Sequence, residues 1–514
     1  MVKWCKHSLV AIVVAGGFCL VWGISRYGLP KEKIILRIPM PITDLVLDPH
    51  KMHDASSMFV SLQLHRGLLR YLPDGRIVTD IAESWTESAD KQIYRFTLKR
   101  AKFSSGKLIT AEIIRLSLAR IFWLKASIGA DLNYIEGIDN FLTTGKIENL
   151  GINAVSDEVL EVRLARPVAL FLKHLATADC AILDVKSHRD DYNPSSEKVG
   201  FSGPYKVMSW TDKGIILTKW RTDSVDSSRP PRNVQFLKYN PADIFRSAQS
   251  GNLDVADDIP LPIEERKALE AKGWRQTVAE LSRERFLIVN PKQVSREIRA
   301  YLFSQYDTDQ LIREVNEPLY KSAYGLIPNG IQGGLSKEDL LEVKQAIEYS
   351  AHPRGEVELM YSQEYSQNLP LVQAMKRQWD RPGFEIKLRG VQTEELIENM
   401  VNGKGQLIFG AKGTDYPDGI AVLNYFKSGY EPNFFHMQPS QLDQKIEDLN
   451  TIFDPEKRIQ AYREIQKEIF KNLTVIPVFF GSLHVGLWAP KVNFVPPHPM
   501  GLHTLPLEMI EMAQ

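Results

Sequence analysis

The sequence predicts an α/β protein with more than one domain. Short β-branched runs alternate with amphipathic helical patterns along most of the 514 residues. That order is typical of strand–helix–strand units and predicts a mostly parallel sheet. A chain of this length exceeds what one ordinary hydrophobic core organises, so we expect two or three domains. Hydrophobic residues at 44% and charged residues at 25% are ordinary globular values and exclude a disordered, fibrous or multi-span membrane protein.

In the first half of the chain, alternating or β-branched runs predict strands, and apolar stripes at helical spacing predict helices. Thr110 is a suitable N-cap for the second helix. Pro73 and Gly75 predict a turn within Tyr71–Val78, because proline fixes one φ angle and glycine accepts a positive one. The expected strands are Ile34–Pro39, Ile93–Leu98, Val159–Leu164 and Tyr205–Trp210, and the expected helices are Ser56–Leu69 and Ala111–Leu124.

After an expected exposed loop at Arg221–Arg232, the alternation resumes beyond Asn240. Proline in the first turn marks the start of a charged amphipathic helix at Pro455. The expected strands here are Val357–Tyr361, Phe384–Leu388 and Leu407–Gly410, and the expected helices are Leu369–Trp379 and Pro455–Phe470.

The first 28 residues predict a signal peptide or a membrane anchor. Lys3, Lys6 and His7 form a basic flank, and residues 8–25 then carry no charge. A basic flank followed by an apolar core is typical of export signals, and the run is also of marginal spanning length. Either interpretation sends the rest of the chain to the outer side of a cell membrane.

Charge and motifs exclude several function classes. Lys and Arg total 63, as do Asp and Glu, so the basic excess of a general nucleic-acid binder is absent. The sequence contains no GxSxG, HExxH, Walker or GxGxxG motif, and no nucleophile–base pair is visible. Cys180 is the single cysteine after residue 19, which leaves no partner for a disulfide in the body, and we expect it to be buried. We therefore predict a protein that is not an enzyme and has no cofactor or metal site.

Several segments, in the right order, are similar to one family. Together they resemble the large extracellular solute-binding proteins of ABC importers, family 5, which include oligopeptide-, dipeptide- and nickel-binding proteins. The resemblance covers nearly the whole chain after residue 34 and is carried by Gly67–Trp85, Tyr94–Glu112, Phe201–Val207, Asp415–Asp418 and Ala461–Trp488.

The resemblance implies a two-lobed periplasmic-binding-protein-like fold of type II with an additional subdomain. Lobe 1 would comprise residues 31–260 and 480–514, with the subdomain at about 60–165, and lobe 2 would comprise residues 261–479. Two such lobes can close on a ligand and expel water. An extended peptide can be held there by main-chain hydrogen bonds, which tolerate varied side chains.

The family's motif implies ligand-binding residues. Asp415, followed by Tyr416, matches the aspartate with which peptide binders hold the ligand's α-ammonium, and the alternative is a turn-forming aspartate. Met52, His53 and Asp54 resemble a cleft loop, or else form a solvated loop.

Two further positions concern the rest of the ligand. Lys412 replaces the tryptophan common in peptide binders and could meet the ligand's negative end, with a surface lysine as the alternative. Met400 and Phe409 stand roughly where some peptide binders have arginines. Phe435 could line a side-chain pocket, with core packing as the alternative.

The function implied is capture of peptides and their delivery to an ABC permease by a monomeric periplasmic or cell-envelope protein. The membrane could be a second partner through residues 1–28. Two alternatives remain open. One is a membrane-anchored sensor or regulatory module of the same fold, and the other is a binder of a nickel chelate or other small solute.

Overall fold

The structure is a computed structural model. It describes residues 35–40, 45–52, 54–185, 192, 194, 199–221, 229–240, 243–256, 261–279, 283–317, 320–414, 416–430, 433–481, 484–498 and 500–513. The predicted signal peptide or anchor at residues 1–28 lies outside these ranges. Within the ranges, no helix is both long and apolar enough to cross a membrane.

The strands of the described chain are short, and most have three to eight residues. They are β1 Ile35–Met40, β2 Leu69–Tyr71, β3 Ile77–Thr79, β4 Ala82–Glu87, β5 Ile93–Leu98, β6 Ile152–Ser156, β7 Val159–Arg163, β8 Tyr205–Thr211, β9 Gly214–Lys219, β10 Asn233–Lys238, β11 Val255–Ala256, β12 Arg275–Ala279, β13 Arg283–Val289, β14 Tyr320–Ser322, β15 Gly355–Ser362, β16 Phe384–Val391, β17 Leu407–Gly413, β18 Val475–Gly481, β19 His484–Trp488, β20 Val492–Phe494 and β21 Glu511–Met512.

The α-helices lie between and beside these strands. They are α1 Ala55–Leu64, α2 Ala111–Trp123, α3 Ile128–Asp131, α4 Ile138–Thr144, α5 Phe171–Leu175, α6 Ile244–Gln249, α7 Ile263–Glu270, α8 Arg296–Gln305, α9 Thr308–Val315, α10 Lys337–Gln345, α11 Asn368–Trp379, α12 Thr393–Val401, α13 Gly419–Leu423, α14 Gln441–Asp448 and α15 Pro455–Lys471.

The helix starts follow the predicted capping chemistry. Thr110 caps α2, and its hydroxyl accepts a hydrogen bond from the Ile113 amide at 3.4 Å. Asp454 caps α15 in the same way, with proline in the first turn. The predicted helix Ser56–Leu69 is too long, because α1 ends at Leu64. Its apolar stripe continues because Leu68 and Leu69 are buried as the chain enters β2, not because the helix continues.

The strands form four main sheets. Their orders are β1-β10-β9-β8, β4-β5-β7-β6, β11-β19-β12 and β14-β18-β13-β17-β15-β16. The predicted mostly parallel sheet is wrong. Parallel pairing occurs between β1 and β10 and where β15 pairs with β16 and β17, and the other described pairs are antiparallel. Tight connections such as that between β8 and β9 can join only antiparallel strands, which a helix-and-strand pattern alone does not reveal.

Two large hydrophobic cores divide the described chain. The main core combines the residues of the β4–β7 sheet, such as Phe96, with those of the six-stranded sheet, such as Leu287. The terminal core packs both ends of the chain together, with Leu36 of β1 and Met512 of β21 in one cluster. Cys180 is buried in the main core, as predicted.

The chain passes twice between the three-stranded and the six-stranded sheet. β12 pairs with β19 in the first, and β13 pairs with β18 in the second. One passage therefore lies between β12 and β13, and the other between β18 and β19. Their linking residues, 280–282 and 482–483, lie outside the described ranges.

A buried ionic network joins the start of the chain to α2. Arg120 of α2 is fully buried and binds Asp48 through two hydrogen bonds, of 2.9 and 2.6 Å. Its Nη1 also lies 3.1 Å from His50 Nδ1, and His50 Nε2 lies 3.1 Å from the Ala181 carbonyl oxygen. Burial and then Arg120 lower the pKa of His50 to about 4, so this imidazole is neutral at pH 7. The network connects three distant segments without requiring a charged histidine.

Candidate functional site

The candidate site lies at the end of the six-stranded sheet where β17 leads into the loop that contains Asp415. In the antiparallel register, Lys412 of β17 lies opposite Glu284 of β13, and Glu284 lies opposite Phe480 of β18. The Thr414 hydroxyl is 3.8 Å from the Met500 sulfur, so this end of the sheet contacts the C-terminal segment. It is also the end from which both chain passages leave.

Of the two neighbouring residues predicted for the site, the structure describes Tyr416 but not Asp415. Asp415 lies outside the described residues, as does the side chain of Lys412, although the backbone of Lys412 is part of β17. Tyr416 is buried, with 4% of its surface exposed. Its hydroxyl lies 3.3 Å from His174 Nε2, and the two rings meet edge to face with centroids 5.3 Å apart. Tyr416 therefore connects the Asp415 loop to α5.

The residues near α1 have local roles. Met52 is buried, and His53 lies outside the described residues. Asp54 caps α1, and its Oδ1 accepts a hydrogen bond from the Ser57 amide at 2.9 Å. The exposed carboxylate of Asp54 thus stabilises the start of a helix, whether or not it contacts a ligand.

Phe435 lies against the strand that carries Glu284. Its ring stacks on Phe426 at 4.2 Å between centroids and meets Phe286 of β13 at 5.2 Å. With 2% of its surface exposed, it packs in the main core in this arrangement. Its assignment to a ligand pocket stays a prediction.

Asp418 was not among the residues predicted for the site, yet it is the ionic centre of the loop. Its carboxylate accepts hydrogen bonds from Lys173 and the Tyr462 hydroxyl, and it lies 3.3 Å from Arg458 Nη2. It also caps α13 through the Ile420 amide. Burial would raise the pKa of Asp418, but Lys173 and Arg458 outweigh burial and the pKa is lowered.

A second set of contacts reinforces this connection. Arg166 binds Glu447 at 2.7 Å, and the Ala169 amide donates to the Asn450 carbonyl oxygen at 2.8 Å. Segment 166–174, which follows the β4–β7 sheet, is thus held against the Asp415 loop and the region of α14. This contact explains why one core spans both parts of the chain.

Replacing Asp418 with Asn should destabilise the fold by about 1–3 kcal/mol at pH 7, because hydrogen bonds to a charged group are lost in a buried position. Because the folded-state pKa lies below the model-compound value of 3.8, this stabilisation is present above about pH 4 and is lost as the pH falls through the folded-state pKa. Urea unfolding of both proteins at several pH values should show a difference that shrinks below pH 4.

The matched control for that measurement is Glu447→Gln, since Glu447 pairs with Arg166 near the surface. Partly exposed ion pairs contribute about 0–1 kcal/mol, so the control should unfold nearly as the wild type does. A difference between wild type and Asp418→Asn that stays constant down to pH 3 would contradict the role given to the charge.

Glu284 is the other residue that the sequence interpretation missed. It is 5% exposed, and its Oε1 has no hydrogen-bond partner. Burial raises the pKa of this carboxyl well above its ordinary value. The available signal was a single acidic residue in phase with the apolar Phe286 and Ile288 of the same strand.

The described residues also bear on metal binding. Among them, no group of three His, Cys, Asp or Glu side chains is placed to hold a metal ion.

The sequence matches the profile of one family over residues 76–434, described as bacterial extracellular solute-binding proteins, family 5 Middle. Among curated proteins, it is 23% identical over 518 residues to the probable D,D-dipeptide-binding periplasmic protein of Escherichia coli. That alignment covers 95% of this chain and 96% of the relative. These findings confirm the family resemblance.

Solved structures share the fold along most of the chain. Haemophilus influenzae OppA in complex with the peptide RPPGFSPFR superposes with a TM-score of 0.75 at 20% identity, covering 94% of this chain and all of that one. The binding protein AgaA of A. tumefaciens R10, in complex with agropinic acid, gives 0.72 at 21% identity, covering 94% and 99%. The predicted two-lobed α/β fold is confirmed.

Proposed function

This chain belongs to the bacterial extracellular solute-binding proteins of family 5, and from that membership we propose that it captures peptides between two lobes and delivers them to an ABC-transporter permease. The observation that carries the proposal is the likeness to OppA of Haemophilus influenzae, which holds a nonapeptide and which this chain covers completely. The relative from Escherichia coli is named for a dipeptide ligand.

The lobes of this proposal are those implied by the sequence, residues 31–260 with 480–514 and residues 261–479, with the subdomain at about 60–165. The two passages beside β12–β13 and β18–β19 would serve as the hinge, because rigid bodies joined by few strands can rotate about them. Asp415 would bind the ligand's α-ammonium inside the closed cleft. Tyr416, Lys412, Met52, His53, Asp54 and Phe435 complete the proposed binding set.

The protein would act outside the cytoplasm, as a periplasmic or envelope protein without enzymatic activity, and as a monomer. Residues 1–28 would be removed as a signal peptide or retained as an anchor. A mature N-terminus found near residues 24–30 would support the transport role. A retained segment would instead favour the sensor alternative.

Thermal unfolding with defined peptide pools tests the proposed function. A ligand that binds only the folded state adds RT ln(1 + [L]/Kd), which is about 2.7 kcal/mol at a hundredfold excess over Kd. We expect the melting temperature of the chain lacking residues 1–28 to rise with pools of two to five residues. A rise with nickel chelates or with sugar-derived acids, and none with any peptide pool, would reject peptide as the ligand. The likeness to AgaA is the reason for including the acids.

A further inference from the structure

The starting observation is the unsatisfied carboxylate of Glu284. The Oε1 atom of this residue is buried and has no hydrogen-bond partner. Buried polar groups in folded proteins are nearly always hydrogen-bonded, and an exception calls for an explanation. An unpaired carboxylate in a strand costs stability that an apolar residue would not cost. Its presence in β13 therefore points to a partner outside the described chain.

The position of Glu284 indicates what that partner is. It lies one residue from the start of β13, directly after the passage from the other sheet, in the same row as Lys412 and Phe480. The row continues on β14 with the exposed Lys321, opposite Phe480. Glu284 thus belongs to the end of the sheet from which the Asp415 loop leaves, where a ligand between two lobes would contact lobe 2.

We propose that Glu284 receives a cationic group of the ligand other than its α-ammonium, so that this chain selects peptides carrying a lysine or arginine side chain. The proposal rests on the proposed peptide function and deepens it. A desolvated ammonium or guanidinium would supply the hydrogen bonds that Oε1 lacks and would form a charge-assisted contact. A neutral side chain at the same position would leave Oε1 without a charged partner.

Binding of a basic peptide would then be coupled to the release of protons. Burial raises the pKa of the free carboxyl, whereas the arriving cation would favour its ionised form. Basic peptides should therefore release protons on binding, and neutral peptides should not. Lys412 of β17 and Lys321 of β14 are the basic residues of the same row.

The test is calorimetric titration at pH 7 with tri-alanine and three lysine peptides, Lys-Ala-Ala, Ala-Lys-Ala and Ala-Ala-Lys. Each lysine peptide has a norleucine counterpart, which keeps the four-carbon stem of the side chain and removes the charged ammonium. We expect the wild type to prefer lysine over norleucine at least tenfold at one of the three positions. In Glu284→Gln, which replaces the carboxyl group by an amide of the same shape, that ratio should fall to within about twofold.

Two further measurements complete the experiment. Titrations in buffers of different ionisation enthalpy count the released protons on the wild type, so this readout needs no variant. Glu356→Gln makes the same substitution at the exposed start of β15 in the same sheet and should leave the lysine preference unchanged.

Each result decides the matter. Tri-alanine binding without a lysine preference at any position, or a preference that survives in Glu284→Gln, would overturn the role of Glu284 and leave the peptide function standing. Failure of every peptide to bind would overturn the peptide function, and the proposal with it.

Discussion

The Asp415→Asn variant should bind peptides about thirty- to several-thousand-fold more weakly than the wild type. The expected loss is roughly 2–5 kcal/mol, because a ligand ammonium buried in a closed cleft would lose its counter-ion while the side chain keeps its size. Peptides with an acetylated N-terminus should bind the wild type poorly for the same reason. Calorimetric titration with one peptide measures both effects.

The matched control is Asp418→Asn, three residues further along the loop. The Asp418 carboxylate is occupied by Lys173, Arg458 and Tyr462, so its loss should lower stability more than peptide affinity. Asp415→Asn should show the reverse, with an unchanged melting curve. Equal affinities of wild type and Asp415→Asn would remove Asp415 from the site and favour the turn-forming alternative.

Replacing Arg120 with Leu should destabilise the protein by about 3–5 kcal/mol, because the Asp48 carboxylate would remain buried without its partner. Both ends of this pair are nearly inaccessible to water, with side-chain exposures of 0% for Arg120 and 8% for Asp48. Water therefore cannot replace the lost hydrogen bonds. Urea unfolding followed by circular dichroism gives the change in free energy.

Two comparisons sharpen that result. Arg115→Leu on the same helix breaks a pair with Glu112 one turn earlier and should cost no more than about 0.5 kcal/mol. The double variant Asp48→Asn/Arg120→Leu also removes the unpaired Asp48 charge and should recover part of the lost free energy of unfolding. If the double variant loses the sum of both single losses, the pair does not couple in the way described.

Local structure was predictable wherever the sequence carries its own signal. The alternation of Ile93–Leu98 identified β5, and Thr110 and Pro455 marked the starts of α2 and α15. Strand direction was not predictable, because β13 pairs with strands more than a hundred residues away and nothing in its own sequence states their orientation. The predicted helix Ser56–Leu69 was too long because apolar residues continue to be buried after the helix has ended.

The site was predictable only as a motif. Asp415–Asp418 could be found in the chain, but Lys173, which binds Asp418, lies 245 positions away. Glu284 gave no motif at all, since its significance is the lack of a partner in a folded strand. Residue type and spacing point to a loop, whereas the contacts that make it a site arise from the assembled sheets.

The terminal core has a mechanical consequence. The Lys491 ammonium donates to the Ile35 carbonyl oxygen at 2.7 Å, and the Met512 amide donates to the Arg229 carbonyl oxygen at 2.9 Å, so both ends of the described chain are fastened to the same body. A pulling force applied between residues 35 and 513 would load β1 and β21 first. The six-stranded sheet would bear no load until the terminal core unfolded. The contacts that this sheet makes with a bound solute would therefore not be under tension.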